Sequence, residues 1–184
     1  SIQADGNGFM VLHSFAGGSD DGAYPYGGLT LSGTSLFGMT SGGGSSDKGT
    51  IFKIDTNGAN FALLHHFTGS TSDGSNPRAS LVISDSVLYG MTWKGGLNNL
   101  GTIFKMNSDG NGFSLLYSFV GGANDGKYPQ NSLCLSGSTL YGMTLEGGDA
   151  LGGTLFKIDT DGSDYAVLRE FVGGENDGAF PWGT

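Results

Sequence analysis

Leu88-Tyr89-Gly90-Met91-Thr92 is one of three near-identical stretches: Leu36-Phe37-Gly38-Met39-Thr40 lies 52 residues before it and Leu140-Tyr141-Gly142-Met143-Thr144 lies 52 after. The rest of the 184-residue chain keeps that step. Residues 9–60, 61–112 and 113–164 align without a gap, and 165–184 opens a fourth copy. A repeat near 50 residues points to a propeller or a solenoid, in which each unit buries its apolar faces against its neighbours.

One copy supplies the local reading. Phe113–Phe119 is an apolar run flanked by Phe, and a loop with the core Asp125-Gly126-x-x-Pro129 follows it. Two short apolar runs, 132–136 and 139–144, are split by a Ser-Gly-Ser turn. A Gly147-Gly148 pair then opens a variable loop, and the run 153–159 ends in Asp159-Thr160-Asp161-Gly162. Asp-Gly and Asn-Gly between apolar runs favour tight hairpins because both residues tolerate positive φ. No stretch shows an apolar period of 3.6 residues. Each copy therefore reads as four antiparallel strands, the unit of a β-propeller blade.

The expected fold is all-β, one domain over 1–184: three complete blades with inner strands at 29–32, 81–84 and 133–136, plus an extra outer strand at 9–15. Residues 1–8 would be the end of a third strand. The Asp-Gly-x-x-Pro loops would cross from one blade to the next, and a neighbouring blade's aromatic would fill the space over Gly90. Three blades leave a ring open, so the chain reads as part of a longer propeller or as a unit that self-associates.

Composition excludes several partners. Gly is 36 of 184 residues, about one in five, against a usual level of about 7%. Net charge is −9 with only 8 Lys and Arg, which disfavours nucleic acid. No apolar run is long enough to span a bilayer. Cys134 stands alone and reads as a half-buried strand filler.

The motifs Gly49-Thr50-Ile51-Phe52-Lys53-Ile54-Asp55-Thr56-Asn57-Gly58, Val11-Leu12-His13-Ser14-Phe15, Asp21-Gly22-Ala23-Tyr24-Pro25 and Leu88–Thr92 together resemble the GloVer (Gloeo/Verruco) tandem-repeat proteins, with Met39, Met91 and Met143 where that pattern has Thr. The resemblance covers the whole chain. It implies a bacterial extracellular or cell-surface protein, and it carries no catalytic residues.

Candidate chemistry is sparse. Asp21, Asp73, Asp125 and Asp177 recur in Gly-rich loops, where carboxylates and carbonyls would suit Ca²⁺; the competing reading is that each Asp caps its own turn. His13 and His65 share a repeat position with Tyr117 and Arg169, as expected of a partly exposed strand site. Trp93, Lys94, Trp182 and Arg78 occupy positions that differ between copies, where a ligand site would be grafted, and the tryptophans offer flat faces for a sugar. The functional expectation is a non-enzymatic scaffold or binding module that contacts protein or glycan, with no cofactor beyond possible Ca²⁺. The alternatives are a polysaccharide lyase or hydrolase with its active site in other blades, and a self-assembling structural protein.

Overall fold

In the computed structural model, residues 7–182 are described. Among them all regular structure is β, in three four-stranded antiparallel sheets and three two-stranded ladders. Blade one comprises Thr30–Ser32, Ser35–Thr40, Thr50–Asp55 and Ala62–His66. Blade two comprises Val82–Ser84, Val87–Thr92, Thr102–Asn107 and Ser114–Ser118. Blade three comprises Cys134–Ser136, Thr139–Thr144, Thr154–Asp159 and Ala166–Glu170. Strands pair in sequence order, inner to outer, and the Asp-Gly-x-x-Pro loop carries the chain onward. No ring is closed.

The inner edges meet around an axis. Gly28 N donates to Ser80 Oγ at 2.8 Å and Ser80 N to Ser132 Oγ at 3.0 Å, each a step of one repeat.

Blades pack face to face through apolar sets that recur. At the first junction Phe37, Met39 and Ile51 cluster with Leu81, Leu88, Phe104 and Met106 of blade two, and Phe67 closes the cluster from just beyond blade one's outer strand. Tyr89, Met91, Ile103 and Phe119 meet Leu133, Leu140, Phe156 and Ile158 at the second. This double-sided burial explains why apolar residues project both ways from the second and third strands.

Gly90 sits mid-strand because a Cβ there would lie 2.5 Å from Phe104 Cζ and 2.9 Å from Leu81 Cδ2. The covering aromatic is thus Gly90's cross-strand partner in the same blade, not a neighbour's as the sequence suggested. Each blade repeats the pair, as Gly38 with Phe52 and Gly142 with Phe156.

Three further features depart from the sequence reading. Residues 9–15 form no strand, although Phe15 packs on Phe52 at 5.0 Å much as Phe67 packs on Phe104 at 5.5 Å. The segment holds an outer strand's place without its ladder, since no third strand stands beside it among the described residues; residues 1–6, most of the segment read as the end of that strand, lie outside them. Cys134 is exposed rather than half-buried, because its counterpart Val82 packs into the second junction while blade three's far face is open. Three of the four crossover loops also pair back on the Gly-Gly segment as a two-residue ladder, Gly22–Ala23 on Gly42–Gly43, Gly74–Ser75 on Lys94–Gly95 and Gly126–Lys127 on Glu146–Gly147.

Candidate functional site

The recurrent aspartates sit where an outer strand ends and a crossover loop begins. Asp73 is 6% exposed. Its Oδ1 accepts from Gly74 N at 2.7 Å, and His65 Nε2 lies 3.1 Å away. Its Oδ2 accepts from Thr68 N at 2.8 Å and Thr68 Oγ1 at 2.9 Å. Burial pushes the Asp73 carboxyl up, but the hydrogen bonds from His65 and Thr68 outweigh it and hold it below the ordinary carboxylate value.

The other copies keep the two backbone donors and each add a side-chain partner. Asp21 accepts from Ala16 N and Gly22 N and faces His13 Nε2 at 3.0 Å. Asp125 accepts from Val120 N, Gly126 N and the Tyr165 hydroxyl at 2.7 Å. Asp177 accepts from Val172 N, Gly178 N and Arg169, whose bonds, led by that from Val172, keep its carboxyl low. The position that varies as His, Tyr and Arg is therefore a tether to the aspartate or its neighbour.

A bulge in the outer strand accounts for its aim. Ile103 pairs with Tyr117 but Phe104 pairs with Leu115, which leaves Leu116 extra, and such bulges re-aim the residues beyond them. The tether residue also stacks on the first aromatic of the next copy, His65 on Phe113 at 3.9 Å and Tyr117 on Tyr165 at 3.9 Å. Burial and the nearby Asp125 charge push the Tyr117 hydroxyl up to about 12.

The aspartates are thus spread one per loop, each surrounded by N–H, ring-nitrogen or hydroxyl donors. Ca²⁺ would need oxygen ligands in those places. Among the described residues no three His, Cys, Asp or Glu side chains are grouped to hold a metal ion.

The variable residues are gathered differently. Tyr26, Arg78, Gln130 and Trp182 share one repeat position, directly after the proline of each loop. Arg78 Cζ lies 3.7 Å from the Trp93 ring centroid and 6.0 Å from that of Tyr26, and Arg78 donates to Gln130 at 3.1 Å. Lys94 Nζ is 4.3 Å from the same Trp93 ring, and Tyr128 approaches Trp93 at 5.9 Å. Arg78 Nε and Trp93 Nε1 are buried without a hydrogen-bond partner among the described residues, so stacking holds this group in place.

Of the four residues singled out from sequence, Arg78, Trp93 and Lys94 are together. Trp182 stands at the far end of the row, 73% exposed. Tyr26, Gln130 and Tyr128 were missed, although the 52-residue step assigns Tyr26 and Gln130 directly to the Arg78 position. The residues two before, Tyr24, Asn76, Tyr128 and Phe180, all take positive φ between 53° and 59°, which is costly for an aromatic. Asn76 N and Tyr128 N lock the strained loop by donating to Lys48 O and Leu100 O of the preceding blade.

Comparison with known proteins gives the lineage. The model of the Gloeobacter/Verrucomicrobia repeat matches residues 1–184. The chain belongs to that family. No curated protein matches it. Similar solved structures include a chain of a nidogen/laminin complex, with TM-score 0.57 and 15% identity over 89% of this chain and 52% of that one. A putative TolB from Agrobacterium tumefaciens is similar with TM-score 0.52 and 16% identity over 82% of this chain and 50% of that one. This Gloeobacter/Verrucomicrobia repeat chain thus spans about half the length of both, and the likeness concerns the propeller-type fold alone.

Proposed function

We propose that this chain is a non-enzymatic binding module of an exported bacterial protein, contacting protein or glycan through the row Tyr26, Arg78, Gln130 and Trp182 together with Trp93 and Lys94. The observation that carries the reading is the contrast within each loop. Asp, Gly and Pro are the same in every copy and are used by the fold, whereas the residue after Pro is different in all four. Arg78 stacks on Trp93 and lies near Tyr26, and such a cluster of guanidinium and aromatic faces suits a flat or planar polar ligand. The inner strands carry no carboxylate or imidazole, which supports binding over catalysis.

The test is a titration against immobilised bacterial surface polysaccharides and surface proteins, read by surface plasmon resonance. Binding that is lost in Arg78→Ala and kept in the remote control Lys53→Ala is expected. Equal binding by both variants would refute the assignment of this face.

A further inference from the structure

Blade two has a neighbour on each side, and its loops carry a charge that the other copies do not. Lys94 stands opposite Ser75 in the short ladder of that blade. The same place in blade three holds Glu146 opposite Lys127, and the two form an ion pair at 2.9 Å. In blade one it holds Gly42 opposite Ala23. Blade three's ladder is neutral by pairing and blade one's by having no charge, whereas blade two's keeps one cation.

Arg78 adds a second, where its counterparts Tyr26, Gln130 and Trp182 are uncharged. The variable loop of blade two also lacks the acids of the other copies. Asp47 in blade one accepts from Gly43 N at 2.8 Å, and Asn99 makes the same cap to Gly95 N at 2.9 Å without the charge. Blade three has Glu146 and Asp149 where blade two has Lys94 and Leu97. The carboxylate of the adjoining crossover loop, Asp73, has both oxygens engaged by Gly74, Thr68 and His65. Among the described residues the ion pairs of Lys and Arg are Lys127–Glu146 and Arg169–Asp177, and neither Arg78 nor Lys94 is in one.

Both cations close on one ring, Arg78 Cζ at 3.7 Å from the Trp93 centroid and Lys94 Nζ at 4.3 Å. Trp93 itself stands where the other copies have Ser41 and Leu145. Three differences confined to the copy 61–112 therefore meet at one point. They gather two like charges, which repel, in a chain whose net charge is −9. The indole face offsets part of that repulsion, and an anion seated beside both cations offsets more.

On the reading of this row as the binding face, we infer that its ligand is an acidic polysaccharide that carries carboxylate groups. Stacking on Trp93 fixes the plane of the guanidinium, and Arg78's hydrogen bond among the described residues goes from Nη1 to Gln130. The Nη donors left over suit a planar carboxylate, which takes two parallel N–H bonds, and Lys94 supplies the second cation. An aromatic face beside the anion site favours a uronate sugar over an acidic peptide. Tyr26 lies 6.0 Å from the guanidinium and offers a flat surface to the apolar side of a pyranose. The net charge of −9 repels such a ligand at long range, but about 0.15 M salt confines that repulsion to about 8 Å, so the local pair decides.

The test is surface plasmon resonance at about 0.15 M salt on immobilised polygalacturonate, alginate and hyaluronate, each beside its methyl ester, with poly-glutamate as the acidic peptide. Wild type is expected to bind at least one of the carboxylate forms, and its ester about tenfold or more weakly, the loss of one charge-assisted contact. Arg78→Gln and Lys94→Gln each weaken that binding about tenfold. Lys53→Ala, which removes the same charge elsewhere, keeps it. Circular dichroism establishes that each variant is folded. Equal binding of acid and ester that Arg78→Gln abolishes leaves the face as the binding site and overturns its acidic ligand. Preference for poly-glutamate overturns the polysaccharide, as does a wild type that binds none of the three. Carboxylate binding that neither variant alters overturns both this inference and the binding face on which it rests.

Discussion

Replacing Asp73 with Ala separates a structural role for the loop aspartates from a metal-binding one. The Asp73 carboxylate receives the backbone N–H groups of Gly74 and Thr68, the Thr68 hydroxyl and a contact from His65. Truncation leaves two backbone donors without an acceptor, at about 1–3 kcal/mol each where water is excluded. The side chain is only 9% exposed, and water entering the small vacated space restores part of the loss, so a net destabilisation of about 3 kcal/mol is expected. Urea unfolding followed by far-UV circular dichroism should show it as a lower midpoint with an unchanged slope. The same change at Asp177, which sits at the open end, should cost clearly less.

Acid should act through the same group. The folded pKa of Asp73 is lowered, so its contribution is complete above the unfolded value of about 3.9 and is lost as pH falls through the folded one. Wild-type stability should therefore fall below about pH 4, and less so in the Ala variant. EDTA should leave the wild-type midpoint where it is. If EDTA lowers the wild-type midpoint to that of Asp73→Ala, or if the Ala variant costs less than about 1 kcal/mol, the hydrogen-bond account fails.

Other perturbations follow from the same geometry. Gly90→Ala places a methyl group against the Phe104 ring, which is fully buried and has nowhere to go; a loss of about 2–3 kcal/mol in unfolding free energy is expected, and a neutral result would mean the strand pair can spread. Thr92→Val removes a hydroxyl that pairs with Thr102 at 2.7 Å and donates to Lys94 O at 2.7 Å. Calorimetry should show a loss of about 1–3 kcal/mol, as the buried partners are left alone. At high pH the Tyr117 hydroxyl, pushed up to about 12, favours the neutral form on folding. Its contribution is complete below the ordinary value of about 10 and disappears as pH rises towards 12, so unfolding midpoints should fall across that window and fall less in Tyr117→Phe.

Most of the fold is legible in the sequence because its signals are local and repeated. Leu-Tyr-Gly-Met-Thr, the Ser-Gly-Ser turn and Asp-Thr-Asp-Gly place three strands and two hairpins by composition alone, and a gapless 52-residue step carries them to every copy. What escaped was non-local. The ladder of Gly74–Ser75 on Lys94–Gly95 joins two loops that each look like plain glycine-rich connections; the close approaches of Gly74 to Thr92 and of Gly95 to the Gly74 backbone require glycine there. The bulge at Leu116 changes where Tyr117 points without altering composition, so a tether to Asp125 and Tyr165 reads as a surface strand position. The variable face was half legible. Arg78 and Trp93 stand out as differences between copies, but their stacking depends on how adjacent loops converge, which no single copy encodes.

The central claim is that residues common to the copies build the fold while residues that differ between them bind. The most direct measurement exchanges the variable cluster for what other copies carry at the same positions: Arg78→Gln as at Gln130, Trp93→Ser as at Ser41, and Lys94→Gly as at Gly42. Binding to immobilised bacterial surface polysaccharides and proteins is measured together with urea unfolding of the same triple variant. The expected result is a variant that remains folded, its unfolding free energy lower by about 1–3 kcal/mol for the lost stack, and no remaining binding. A variant that unfolds in place of losing its ligand, or one that binds as wild type does, would contradict the claim.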